Sequence, residues 1–197
     1  TFTPAEYLTW EETQTERHEY LAGEIRAMSG GSMEHNTIVS NIAGEVRSRL
    51  KGTHCRSFTS TQKVQAQSTG FSFFYPDVVI VCGAPQMGLG DAIRNPVAVF
   101  EVQSPSTSHY DRNAKFTGYQ TIQSLQEYFI VHQKQARVEA YRRTPEGEWD
   151  TTSYTVYIGL GATVPLESVG IALPCREIYD LVEITPTPNE DEETSPS

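Results

Sequence analysis

A chain of 197 residues is long enough for one well-buried domain and short for two ordinary ones. Its 38% hydrophobic and 20% charged content fits a soluble globular protein, and no apolar run approaches the ~18 residues that span a bilayer. The net charge of -10, with only Lys51, Lys63, Lys115 and Lys134 as lysines, argues against tight non-specific binding to duplex nucleic acid.

The first element in chain order is a helix. Thr3-Pro4-Ala5-Glu6 supplies an N-cap, a first-turn proline and the third-position acid of a capping box, predicting a helix to about Glu12. Residues 19–28 read as a hairpin turning at Ala22-Gly23, with Glu24 opening its second strand. Ser29-Gly30-Gly31 is a turn whose backbone could contact a phosphate. Ser32 caps the next helix, whose stripe is Ile38, Ile42, Val46 and Leu50, with Lys51-Gly52 ending it. His35 shares the inward face of its first turn, where a lone histidine usually packs or caps.

Residues 55–67 read as one or two strands. The runs Tyr75–Cys82 and Pro96–Gln103 are Val-rich and bounded by turn residues, as buried strands are. The Gly-rich segment 83–95 between them is an exposed loop expected to overhang the site. Ser104-Pro105-Ser106-Thr107 is a plain turn, with no Gly-x-Ser-x-Gly elbow to make it a hydrolase motif. A helix from about Asp111 to Ser124 follows, on which Asp111 and Lys115 are four apart and read alone as a surface ion pair. Then come a hairpin of 127–133 with 137–143, a strand over 150–156 and a closing helix over 176–182. The organisation predicted is a domain over 1–184 and an acidic, disordered tail over 185–197. Cys55, Cys82 and Cys175, odd in number and far apart, exclude a zinc ribbon or a full disulfide framework. Cys82 reads as a small core residue. With no charged-then-apolar leader in view, the thiols suggest a reducing cytoplasm.

Two acids stand out. Asp77 begins one buried run and Glu101 interrupts the other, and carboxylates are almost never fully buried unless paired or bound to a metal. Alternation puts Val97, Val99, Glu101 and Gln103 on one strand face. Two acids on neighbouring core strands suggest a site for a hard cation.

Asp77 followed by Glu101-x-Gln103 resembles the PD-(D/E)-x-K pattern of restriction-endonuclease-like nucleases, departing from it at Gln103. Glu101–Thr107, Tyr110-Asp111 and Lys115-Phe116 resemble more specifically the Uma-two family of bacterial endonucleases. Tyr20–Ile25, Glu34-His35-Asn36 and Leu125–Tyr128 extend the likeness over roughly residues 1–184. It implies an α/β (α+β) fold, with a central mixed sheet flanked by helices. It implies Mg2+, or Mn2+ as a substitute, on Asp77 and Glu101, with a backbone carbonyl at Val102 or Gln103 adding an oxygen. Lys115 takes over the displaced lysine's role, and Glu24, His35, Gln103 and Asp111 support. The activity implied is hydrolysis of DNA phosphodiester bonds by a homodimer. The alternative, favoured by the acidic charge and the missing lysine, is an inactive relative serving as a dimeric or nucleic-acid-associated scaffold.

Overall fold

The computed structural model describes residues 1–28, 30–67, 70–103 and 110–185. Helix α1 (Pro4–Glu11) starts at the Thr3–Glu6 capping box. Strands β1 (His18–Leu21) and β2 (Glu24–Ala27) form the expected hairpin, with Ala22 and Gly23 both at positive φ. That pair suits a tight turn whose twist matches its strands. Helix α2 (Met33–Arg49) begins on the Ser32 hydroxyl, which accepts from the His35 amide. The chain continues through β3 (Cys55–Thr59), β4 (Val64–Gln67), β5 (Phe71–Phe74), β6 (Val78–Cys82) and β7 (Ala98–Gln103). A π-helical turn, Asp111–Lys115, runs directly into α3 (Phe116–Gln120). Strands β8 (Glu127–His132), β9 (Arg137–Arg142), β10 (Thr155–Ile158), β11 (Thr163–Leu166) and β12 (Ile171–Pro174) precede α4 (Cys175–Ile178).

The central sheet has the order β10-β9-β8-β7-β6-β3 and is mixed, as expected. Only β7 and β8 run parallel, and a parallel step needs a long crossover; the π-turn and α3 lie within it. One face, including Ile80, Phe100 and Phe129, buries the apolar stripe of α2 and the β11–β12 hairpin. The other face, including Val79, Val99 and Tyr128, buries Phe116 and Tyr119 of α3. A second sheet, β2-β1-β5-β4, packs Tyr20 and Phe73 on Tyr7 of α1.

Several expectations shift. The strand placed over 150–156 begins only at Thr155, because Asp150 accepts from the amides of Thr152 and Ser153 and holds that stretch in a turn. Helix α3 stops at Gln120, where the Thr121 hydroxyl bonds back to the Gly118 carbonyl. The 83–95 loop does not overhang the acids. It leaves the far end of β6 and folds onto β4, pairing Ile93 with Val64. Cys55 and Cys82 face each other across β3 and β6 and form a disulfide, so Cys82 is not merely a core residue. The β11–β12 hairpin had no sequence expectation. The readings made on Ser29, on 104–107 and on the tail beyond Thr185 lie outside the described residues. No helix among the described residues is long and apolar enough to cross a membrane.

Candidate active site

Strands β6 and β7 are antiparallel with Val78 opposite Phe100. Asp77 immediately precedes β6 and Glu101 follows Phe100 in β7, so the two acids sit at the same end of neighbouring antiparallel strands. Asp77 Oδ2 accepts the Val102 amide at 2.7 Å, and His35 Nε2 lies 3.1 Å from Oδ1. Glu101 Oε1 accepts the Tyr119 hydroxyl at 3.1 Å and lies 3.0 Å from Lys115 Nζ. On its other side Lys115 Nζ is 2.9 Å from Glu19 Oε1, which also accepts the Tyr75 amide at 3.0 Å. Glu19, Asp77, Glu101, Gln103 and Lys115 are all 3–7% exposed, so water does little to screen these contacts.

The crossover aims the lysine. Lys115 and Tyr119 are four apart and therefore share a helix face, and both reach Glu101. Phe116 stacks on Tyr128 at 4.8 Å, and a Cβ at Gly118 would come within 2.6 Å of the Phe74 ring. That close approach seats α3 against β5 of the second sheet. The π-turn ahead of it ends on Lys115, a local geometry frequent at functional sites. Tyr110 packs alongside, with the Arg26 guanidinium 4.1 Å above its ring. Burial, then the charge of Glu19, raises the Tyr110 hydroxyl pKa, and burial with Glu101 raises that of Tyr119. Both phenols stay protonated, and that of Tyr119 donates to Glu101.

Of the residues singled out by sequence, Asp77, Glu101, Lys115 and His35 come together, with Gln103 buried at the same strand end. Glu24 does not join them: it is exposed on the edge strand β2. Glu19, on the inner strand β1, holds the lysine instead. Only the backbone of Asp111 is described, in the π-turn. Lys115 is buried between two acids, so the surface-pair reading fails for it. Sequence reasoning also missed Tyr119 and Glu19. The rule that found Glu101, an acid in mid-strand, applies equally to Glu19 beside Tyr20.

Among the described residues, the one group of three or more histidine, cysteine or acidic side chains close enough to share an ion is His54, Cys55 and Cys82, where the two sulfurs are bonded to each other. Asp77 and Glu101 contribute two carboxylates at one end of the sheet. Such a pair suits magnesium, which commonly takes one or two carboxylates and fills its remaining positions with water and substrate phosphate.

A mixed sheet with two acids at the same end of neighbouring antiparallel strands, and a lysine delivered from the crossover, is a restriction-endonuclease-like arrangement. A nuclease-like fold is also what the comparison with solved structures gives. The crystal structure described as a "putative nuclease belonging to DUF820" from Anabaena variabilis superposes with a TM-score of 0.69 at 17% identity, covering 90% of this chain and 97% of that one. The chain belongs to the Uma2 family, described as "Putative restriction endonuclease", which it matches over residues 4–174. Two uncharacterized proteins of Synechocystis sp. are similar to it. One, slr1290, is 34% identical over 177 residues, 90% of each chain. The other, sll1609, is 34% identical over 149 residues, 75% of this chain and 84% of its own.

Proposed function

We propose that this protein is a magnesium-dependent endonuclease that hydrolyses phosphodiester bonds in DNA, with Asp77, Glu101 and Lys115 as its catalytic residues. The observation that carries the reading is Lys115 Nζ 3.0 Å from Glu101, with the Asp77 carboxylate on the amide of the next residue, Val102. Phosphodiester cleavage needs a positioned water, neutralised phosphoryl oxygens and a stabilised leaving alkoxide. Asp77 and Glu101 are the residues that would hold Mg2+, or Mn2+ in its place, and the ion when bound supplies Lewis acidity at the phosphate. The chain's own contribution is orientation. The Val102 amide and His35 fix the Asp77 carboxylate, and Tyr119 fixes that of Glu101. Lys115 is an ammonium held by two acids, so it orients the attacking water and offsets charge on the phosphate rather than removing a proton. Gln103, where the general pattern has lysine, can hydrogen-bond water or substrate but brings no charge.

Cutting both strands of a duplex calls for two such sites, so a homodimer belongs to this reading. The test is cleavage of plasmid and of labelled single-stranded and duplex oligonucleotides with Mg2+ and with Mn2+. Wild type should cut at least one substrate, and Asp77→Asn and Glu101→Gln should each abolish the cutting. A wild type that cuts none of them would leave the inactive scaffold as the better reading.

A further inference from the structure

A second ionic cluster lies on the same sheet face. Register across β7, β8 and β9 runs Glu101–Ile130–Glu139, so Glu139 sits two strands from Glu101, or ~10 Å at ordinary strand spacing. Its carboxylate is 1% exposed, yet three basic side chains converge on it. Arg112 reaches both oxygens, with Nη1 on Oε2 and Nη2 3.1 Å from Oε1. Arg137 donates through Nε at 3.1 Å, its Nη2 also 3.1 Å from Oε1, and His132 Nε2 lies 2.9 Å from that oxygen. The Tyr141 hydroxyl donates at 3.3 Å to Oε2. Burial alone would raise this carboxyl's pKa, but hydrogen bonds from His132 and Arg112 and the arginine's charge hold it well below the usual carboxylate range.

The imbalance is the informative feature. One arginine neutralises one buried carboxylate, and a second guanidinium on the same oxygen repels the first. The side chains of Arg112 and Arg137 remain 34% and 29% exposed. Glu139 thus anchors both guanidiniums, whose side chains stay partly exposed and whose remaining N–H groups suit a phosphate oxygen. The cluster also adjoins the site. Arg112 precedes Lys115 by three residues, and Gln103 pairs across the sheet with His132, next to Arg137 in the β8–β9 register. In a chain of net charge -10, a nucleic-acid strand needs such a local patch to be held at all.

We infer that Arg112 and Arg137, splayed on the buried Glu139, form a clamp for a backbone phosphate of the nucleic-acid strand neighbouring the phosphate at Asp77, Glu101 and Lys115. This rests on the nuclease reading for the identity of the ligand but is tested without cleavage. The measurement is fluorescence anisotropy of labelled single-stranded and duplex oligonucleotides in EDTA, from about 50 to 200 mM salt. Arg137→Gln should weaken binding about fivefold and reduce the slope of log affinity against log salt by about one. Arg137→Lys, which keeps the charge, should keep the slope. A loss of structural support alone leaves the salt slope where it was. Should Arg137→Gln fail to fold, Arg112→Gln gives the same reading through the other arm. Unchanged slopes in the arginine variants of a protein that binds and cuts would end the clamp and spare the nuclease. A reduced slope in a protein that binds but cuts nothing would keep the clamp and remove the nuclease. A wild type that neither binds nor cuts would end both.

Discussion

The two ionic clusters on this sheet face are built in opposite senses. Lys115 stands between two buried acids, Glu19 and Glu101, and a third, Asp77, lies at the same strand end with His35 on it. Around Glu139 stand two arginines and a histidine on a single acid. A third cluster, around the buried Glu127, supplies the control. Glu127 takes Arg142 Nε at 3.1 Å, the amides of Glu167 and Ser168, and the Ser168 hydroxyl. That set is closed within the protein, and it docks the turn between β11 and β12 onto the central sheet. Among the described residues, acids outnumber bases in the first cluster and bases outnumber acids in the second. Each imbalance names what would complete it, a cation in one place and a phosphate in the other. Net charge, summed over the chain, conceals this division.

The largest effect should come from removing Lys115, the ammonium held between Glu19 and Glu101. Lys115→Met keeps most of the side chain's length but leaves Glu19 and Glu101 facing each other in a desolvated site. Breaking a buried pair in this way costs on the order of 3–5 kcal/mol, read as a lower urea midpoint at unchanged slope. A loss below about 1 kcal/mol would mean that water reaches both carboxylates, and the contrast between the clusters would dissolve.

Much of this was legible before any coordinates. An acid at the start of one Val-rich run and another inside the next identified Asp77 and Glu101, and simple alternation put Glu101 and Gln103 on one face. What sequence could not supply was register between distant strands. The β1 hairpin lies beside β5 in a second sheet, and only that pairing brings Glu19, rather than Glu24, onto Lys115. Glu139 carries the same mid-strand signal as Glu101, in Arg137-Val138-Glu139-Ala140-Tyr141, and even use of the rule would have marked it. The burial of Lys115 was hidden for another reason. Four-residue spacing to Asp111 describes the helix alone, whereas the close seat of Gly118 on Phe74 decides which way the lysine points.

A cation that completes the acidic cluster should stabilise the fold. With Mg2+ at about a hundred times its dissociation constant, linkage predicts roughly 2.7 kcal/mol, seen as a higher melting temperature than in EDTA. Asp77→Asn removes one of the two proposed ligands while keeping an oxygen for the Val102 amide, so its melting temperature should respond far less. Equal shifts in the two proteins would place the ion elsewhere, and the contrast would then rest on the arginine cluster alone.

The smallest effect probes the basic cluster through acid. Glu139 has a folded-state pKa lowered by His132 and Arg112, so its contribution is complete above the unfolded carboxyl value of about 4.3 and is lost as pH falls below it. One such group adds at most about 1.4 kcal/mol per pH unit to the slope of stability. Glu139→Gln removes that proton uptake. The urea midpoint of the variant should therefore start lower at neutral pH and fall less steeply than wild type once the pH drops below about 4.3. The gap between the two proteins should narrow as the wild-type carboxylate gives up its advantage. Parallel curves would mean that Glu139 titrates alike in folded and unfolded chains. Its three basic neighbours would then be surface residues near one another, with no buried anchor to aim them at a phosphate.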